Sequence, residues 1–285
     1  MTVYRVNSCL NLQFNYSAEA NKTDLHIVSQ TPPLRVVRAF EVADRAALAH
    51  LHNVSGGVLG GDHLEVAVTV GPQARAQVTT PGATRIYRHR PGGPVALQSN
   101  RFTVEAGGLL EYLPDPLIPF AQAQYRQVTQ IDLADGAGLF WWEVVAPGRE
   151  AREELFAYDR LELAVDLRAR QRPIALERLK IEPRRQPPAS IARFGPYRYG
   201  ATFYICRVGL PEKTWLELEA TLRELAQTFT SPEAMWAVNA LVSDGLVVRA
   251  LSCAGQEVSA QLLEFWRLAK EKLYGEAIIP PRKLY

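Results

Sequence analysis

His50 and His52 are the residues of this 285-residue sequence whose types and spacing most directly suggest metal chemistry. Alternate residues of an extended strand lie on one side, so the two imidazoles would project together. Nickel, zinc and copper all accept imidazole nitrogen as a ligand. Two histidines also fall on one side of a half-exposed strand by chance. We therefore predict a weak, transient metal contact here at most, and no tightly bound cofactor.

Carboxylates are the second group that could do chemistry. Two of them facing each other across a groove on a β-scaffold could hydrolyse a glycosidic bond. The candidates are Asp62, Glu65, Glu111, Asp115 and Glu143. Nothing in their spacing selects a pair. A β-helical polysaccharide-active enzyme therefore remains an alternative function.

Four glycines stand within the segment SGGVLGGD, residues 55–62. The cluster is not a phosphate loop, because no Gly-Lys-Ser/Thr follows and the next segment alternates as a strand does. A dinucleotide-binding fingerprint is excluded as well, since G-x-G-x-x-G is absent. We predict a tight turn in which Asp62 accepts hydrogen bonds from local backbone N–H groups. The glycines that would shape it are Gly56, Gly57, Gly60 and Gly61.

The segment TTPGATRIYRHR, residues 79–90, concentrates arginines around an aromatic side chain. Arg85 and Arg88 flank Tyr87, which is a composition suited to an interface or to an anion site. An exposed charged edge that discourages strand aggregation explains the same pattern. Both interpretations stay open on the sequence alone.

Strands dominate the first two-thirds of the chain. Apolar and polar residues alternate over 63–70, 74–80 and 160–168, and glycine- or proline-rich turns separate such segments. The number and spacing of these strands favour a sandwich, a barrel or a β-solenoid. No repeat of fixed length is present, which argues against a strict solenoid with a sequence code.

Helical periodicity comes late in the sequence. Apolar spacing predicts one helix over 214–228 and another over 259–275, the second ending at Gly275. Between them, the Asp244-Gly245 pair favours a two-residue hairpin turn over a further helix. We predict a mainly β fold with a small C-terminal helical part, in a single domain that spans residues 1–285.

The overall composition bounds the class of protein. Hydrophobic residues make up 47% of the chain and charged residues 22%, and the formal net charge is +2. This balance is ordinary for a globular protein and gives no reason to expect nucleic-acid binding. Three scattered cysteines argue against a disulfide framework or a structural zinc site. Without a signal peptide or an apolar run that could span a bilayer, we expect a cytoplasmic protein.

Five segments together resemble the UreD family of urease accessory proteins, called UreH in some bacteria. They are SGGVLGGD (55–62), TTPGATRIYR (79–88), LLEYLPDPLIPFAQAQYRQ (109–127), GREAREELF (148–156) and PPRKLY (280–285). The segments lie in the family's order and span most of the chain. The sequence departs from the family pattern at Pro81, Gly82 and Glu153 and at DPLIPF, residues 115–120. Residues 184–200 do not align with it.

The resemblance implies a β-helix-like stack of sheets and a non-enzymatic role. Such a protein would be a scaffold that binds apo-urease, UreF and the GTPase UreG, and that offers an internal route for Ni²⁺. Residues expected along that route or at an interface are Asp62, His63, Arg85, Tyr87, Arg88 and Glu143. A free-standing nickel-binding protein, with His50 and His52 as ligands, is a further alternative.

Overall fold

The computed structural model describes residues 7–42, 45–90 and 92–281, which form two large sheets and a layer of two helices. The strands are β1 (Asn7–Ser17), β2 (Lys22–Gln30), β3 (Leu34–Arg35), β4 (Ala39–Val42), β5 (Ala46–His50), β6 (His52–Asn53), β7 (His63–Val70), β8 (Arg75–Thr79), β9 (Thr84–Ile86), β10 (Ala96–Val104), β11 (Leu109–Tyr112), β12 (Leu117–Pro119), β13 (Gln124–Leu133), β14 (Gly138–Val145), β15 (Arg160–Ala169), β16 (Arg172–Ile181), β17 (Tyr199–Arg207), β18 (Ala234–Ala240) and β19 (Gly245–Ser252). The helices are α1 (Glu212–Phe229) and α2 (Gly255–Tyr274), and a 3-10 turn covers Glu150–Arg152. The predicted mainly β fold with a C-terminal helical part is confirmed.

The first sheet has the strand order β16-β15-β13-β10-β7-β1-β2. The second has the order β18-β19-β17-β14-β11-β8-β5-β4, with β9 and β12 attached to it, and β3 pairs with β6 in a small sheet of their own. The predicted alternating segments correspond to β7, β8 and β15. In β7 and β15 the alternation gives one face toward the space between the sheets and one face outward, whereas β8 is buried on both faces.

The chain winds between the two sheets in coils. β7, β10, β13 and β15 are parallel neighbours in the first sheet, and β5, β8, β11 and β14 are parallel neighbours in the second. Along the first sheet, His63 pairs with Leu97, Leu97 with Arg126 and Arg126 with Glu162, in steps of 34, 29 and 36 residues. The winding is therefore β-helix-like, while its unequal steps leave no sequence repeat.

Two apolar layers hold this arrangement together. Phe14, Phe102 and Tyr125 are buried in the core cluster that includes the facing surfaces of the two sheets. Phe203 and Trp266 belong to a second cluster, between the second sheet and the helices. Each large side chain buried in this way contributes about 1.5–3 kcal/mol. All five tryptophans of the chain are buried, so they belong to the core and do not form a surface patch.

A hairpin separates the two helices, as the sequence predicts, but its turn is longer than expected. β18 and β19 are antiparallel and are joined by residues 241–244. The prediction of a two-residue turn at Asp244-Gly245 is wrong, because Gly245 already begins β19. Asp244 ends the turn in the left-handed conformation, with φ of 57°. Gly275 follows α2 with φ of 68°, which is the C-cap that the sequence indicates.

A buried ion pair attaches α2 to the second sheet. The Lys270 Nζ lies 3.0 Å from Oε1 of Glu111, and the two side chains are only 6% and 4% exposed. The Trp266 indole N–H donates to the same carboxylate at 3.0 Å. Burial raises the pKa of Glu111, while Lys270 opposes that shift. Glu111, a candidate acid–base residue in the sequence, is therefore engaged in holding the helix.

Candidate functional site

Two cavities lie between the sheets, and Glu143 of β14 lines both of them. The larger has a volume of about 580 Å³ and is bounded by β14, β15 and β16, by the hairpin and by the loop that contains Phe194. The smaller, of about 60 Å³, reaches toward β6 and the segment after β11. We call the two cavities, with Glu143 as their shared wall, the interior passage.

Glu143 stands out within the otherwise apolar strand GLFWWEVV. The side-chain amide of Gln127 donates a hydrogen bond to its Oε1. The Tyr125 hydroxyl lies 2.9 Å from the side-chain carbonyl oxygens of both Gln127 and Gln98, so the polar contacts continue along the first sheet. Burial raises the pKa of Glu143 to about 7, and the nearby carboxylate of Glu177 adds to the shift. Its proton is therefore exchanged near neutral pH.

Glu177 of β16 lines the larger cavity. Its Oε2 accepts hydrogen bonds from the Tyr204 hydroxyl at 2.6 Å and from the Arg249 guanidinium at 2.8 Å. Its Oε1 accepts one from the Thr202 hydroxyl at 3.1 Å. These donors come from β17 and β19 of the opposite sheet, so they fix the carboxylate between the sheets.

The smaller cavity has an imidazole and a second carboxylate in its lining, from His52 and Asp115. The rings of His50 and His52 have centroids 6.3 Å apart. The two residues belong to different strands, β5 and β6, and His50 is buried. Burial, and then the neighbouring His50, lower the pKa of His52. A neutral imidazole is the form that binds a metal ion.

The side chains that could bind a metal ion lie apart from one another in the described residues. Across residues 7–42, 45–90 and 92–281, no three His, Cys, Asp or Glu side chains come together in an arrangement that could hold a metal ion. What the interior passage offers is a succession of separate oxygen and nitrogen ligands. His52 and Asp115 line the smaller cavity, Glu177 lines the larger one, and Glu143 lines both.

The glycine-rich turn is shaped by a close approach and by two unusual backbone conformations. A Cβ at Gly57 would lie 2.5 Å from the Arg85 carbonyl oxygen and 2.6 Å from the Tyr87 ring. Gly56 and Gly61 have φ of 81° and 94°, which favour glycine. Gly60 meets neither condition, since its nearest neighbours would be 3.5 Å from a Cβ.

Asp62 closes this turn. Its Oδ2 accepts a hydrogen bond from the Leu59 backbone N–H at 2.9 Å, and burial raises its pKa. Neither Asp62 nor the half-buried His63 belongs to the lining described for the interior passage. The geometry of Asp62 is that of a side chain that stabilises the turn.

The arginine-rich segment lies elsewhere on the surface. Arg85 lines an open groove, and Arg88 is exposed. Tyr87 packs against Phe120 with ring centroids 5.1 Å apart.

Of the residues expected from the sequence, His52 and Glu143 therefore share the interior passage. Sequence reasoning missed Gln127 and Glu177, and it weighed Asp115 only as one of several carboxylates.

These features define a mainly β protein whose chain winds between two stacked sheets around a partly polar interior. No helix within the described residues is long and apolar enough to cross a membrane. Residues 8–284 match the family model described as UreD urease accessory protein. The chain belongs to the UreD family of urease accessory proteins.

Relatives with assigned names agree with this family. The chain is 44% identical over 276 residues to the urease accessory protein UreD of Herpetosiphon aurantiacus, covering 96% of each chain. It is 30% identical over 273 residues to the UreD of Alcanivorax borkumensis, covering 96% of this chain and 89% of the relative. It is 32% identical over 277 residues to UreD 3 of Methylorubrum populi, covering 94% and 86% respectively.

Proposed function

We propose that this chain is a non-catalytic scaffold for urease maturation, which binds apo-urease, UreF and UreG in the cytoplasm and passes Ni²⁺ through its interior passage. The observation that carries the proposal is that Glu143, a half-buried carboxyl group between the sheets, lines both cavities. Membership of a urease accessory family supplies the biological setting.

The chemistry of the lining suits transit of a divalent cation. Oxygen and imidazole donors bind Ni²⁺ less tightly than thiolates, so an ion can leave each position as well as enter it. Glu143 supplies negative charge where an unpaired dication would otherwise incur a large desolvation penalty, whereas Glu177 of the same cavity is paired with Arg249 and would exchange that partner for the ion. Because the two carboxylates sit on different strands that face each other, the ion would be passed between them without leaving the protein interior.

Proton exchange at Glu143 fits the same role. With a pKa of about 7, this carboxyl group is partly protonated in the absence of metal. An approaching cation favours the carboxylate and releases the proton. Without metal, a protonated Glu143 therefore avoids a charge that has no counter-ion, and with metal the same group becomes an anionic ligand.

A polysaccharide-active enzyme is the second candidate, because Glu143 and Glu177 line one cavity and Glu143 has the raised pKa of a general acid. The contacts of Glu177 favour the scaffold instead. Three donors occupy its oxygens, which leaves it poorly placed to attack a sugar or to activate water. Release of reducing sugar from a polysaccharide panel, abolished by Glu143→Gln, would favour the enzyme.

Reconstitution tests the proposed function directly. Apo-urease, UreF and UreG are purified, mixed with GTP and Ni²⁺, and assayed for urea hydrolysis with and without this chain. We expect the chain to co-purify with these partners and activation to require it. Full activation in its absence, or its failure to join the complex, would contradict the proposal.

A further inference from the structure

A surface groove with a volume of about 610 Å³ lies beside the interior passage. Its apolar lining includes Pro116, Ile118, Phe120 and Ala146, and its charged lining includes Arg85, Asp115, Arg149, Glu150 and Arg152. It therefore combines an apolar floor with a charged rim, which is the composition of a site for an amphipathic peptide segment. The groove brings together the two segments TRIYR and GREAR, which are far apart in sequence.

The wall that carries Arg149 and Arg152 is held rigidly. The Arg149 guanidinium pairs with Glu154 and lies 4.2 Å from the centroid of the Phe120 ring. Glu154 also accepts a hydrogen bond from the Ala121 backbone N–H at 3.2 Å. Gly148 fits against the Glu154 carbonyl so closely that a Cβ would lie 2.1 Å from it. A preformed wall of this kind lowers the entropic cost of binding.

Two of the arginines are left for a ligand. Arg149 is compensated by Glu154, and Glu150 by the Arg198 guanidinium at 2.6 Å. Arg85 and Arg152 are exposed, and neither forms an ion pair with a carboxylate among the described residues. The groove thus presents two cationic side chains without a carboxylate partner, together with an apolar lining.

Asp115 lines both this groove and the smaller cavity, so the groove adjoins the interior passage. Glu143 in turn lines both the smaller cavity and the larger one. A protein segment seated in the groove would cover the Asp115 end of the interior passage.

We propose that the groove docks a segment of another protein chain in which acidic side chains flank an apolar one. The acidic groups would pair with Arg85 and Arg152, and the apolar side chain would lie on Ile118 and Phe120. A nucleic acid fits less well, since its continuous phosphate backbone would run past Asp115 and Glu150, whereas a peptide can place separate carboxylates at Arg85 and Arg152. The docking itself is independent of nickel, whereas its placement at the mouth of a conduit rests on the proposed function.

Fluorescence anisotropy with the full chain tests the docking. The probe is a fluorescein-labelled peptide, Gly-Glu-Phe-Asp-Glu-Gly, and its control carries lysines in place of the acidic residues. We expect saturable binding of the acidic peptide, which weakens as salt rises from about 50 to about 300 mM. The double variant Arg85→Glu/Arg152→Glu should lose about tenfold or more in affinity, because both rim charges are reversed. Arg101→Glu, an exposed residue on β10, serves as the matched control and should bind normally.

Three outcomes would overturn the proposal: no saturable binding of the acidic peptide, unchanged affinity in the double variant, or tighter binding of a short oligothymidine. Nickel loading of urease separates this failure from failure of the conduit. If the peptide does not bind while loading still depends on Glu143, the docking proposal is wrong and the conduit stands. If the peptide binds while nickel loading of urease is unchanged by substitution of Glu143, the docking proposal stands and the conduit is wrong.

Discussion

Gln127 of β13 donates a side-chain hydrogen bond to Glu143 of β14, and this contact bridges the two sheets inside the protein. The amide stabilises the carboxylate form, yet burial is the larger effect and leaves the pKa of Glu143 near 7. A carboxyl group with a pKa near 7 changes its charge around neutral pH, and under the proposed function the arrival of a cation would shift the same equilibrium.

The stability of the protein should depend on pH through Glu143. Its pKa is raised from 4.5 to about 7 on folding, so the native state holds the proton more tightly than the unfolded state does. The free energy of unfolding should therefore fall by about 2–3 kcal/mol as pH rises through the window between these values. Urea unfolding at a series of pH values measures the fall.

The isosteric variant Glu143→Gln supplies the comparison. It keeps an acceptor for Gln127 and removes the titration, so its stability should change less across the same window. The exposed residue Glu65 provides the control substitution Glu65→Gln, which should retain the slope of the unmodified protein. Identical pH profiles for Glu143→Gln and the unmodified chain would rule out the assigned pKa.

Removing only the lysine of the ion pair between Lys270 and Glu111 should strongly lower the free energy of unfolding. Lys270→Met leaves a buried carboxylate without its counter-charge, and we expect a loss of about 3–5 kcal/mol in the free energy of unfolding. Adding Glu111→Gln removes that charge and should restore most of the loss. Urea unfolding of the single and double variants measures both effects, and a double variant no more stable than Lys270→Met would refute this account.

Alanine substitutions in the glycine-rich turn should differ in their effect on stability from one glycine to another. Gly57→Ala forces a Cβ against the Arg85 carbonyl and the Tyr87 ring, which should cost about 1–3 kcal/mol. Gly60→Ala meets no contact closer than 3.5 Å and should change stability by less than about 1 kcal/mol. Thermal unfolding compares the two variants. Equal destabilisation would mean that close approach is not what selects glycine at position 57.

Nickel binding to the isolated chain should be weak. Equilibrium dialysis is expected to give a Kd above about 1 µM, which corresponds to less than about 8 kcal/mol of binding free energy. His50→Ala/His52→Ala should weaken it further, whereas His26→Ala, a control at an exposed histidine on β2, should not. Submicromolar binding that disappears in the double variant would favour the nickel-storage alternative over a conduit.

Alternation along single strands carries most of what the sequence can predict about this fold. HLEVAVTV forms β7 because its leucine and valines share one buried face. Which strands become neighbours is not encoded in this way. The coils advance by unequal steps, since loops of different length return the chain to each sheet. The β-helix-like stack could be predicted from the resemblance of five segments to one family, and not from their periodicity.

The interior passage could be predicted only in part, because some of its polar lining residues occupy positions where apolar residues are expected. Glu143 is conspicuous as a charge in an apolar run. Gln127 is not, because the buried face of β13 carries Gln127 and Thr129 while Val128 lies on the other face. On β16, Leu176 is 66% exposed while Glu177 lines the larger cavity. Polar residues face inward at these positions. The usual rule that apolar residues are buried therefore assigns the wrong face of these strands to the interior.

Nickel loading of urease by the Glu143→Gln variant tests the central claim most directly. The variant is assembled with apo-urease, UreF and UreG, and metal content per urease active site is measured beside Glu143→Asp and Glu65→Gln. We predict that Glu143→Gln assembles normally but delivers much less nickel, that Glu143→Asp recovers part of the delivery, and that Glu65→Gln is unaffected. Normal nickel content with Glu143→Gln would contradict passage of the ion between the sheets.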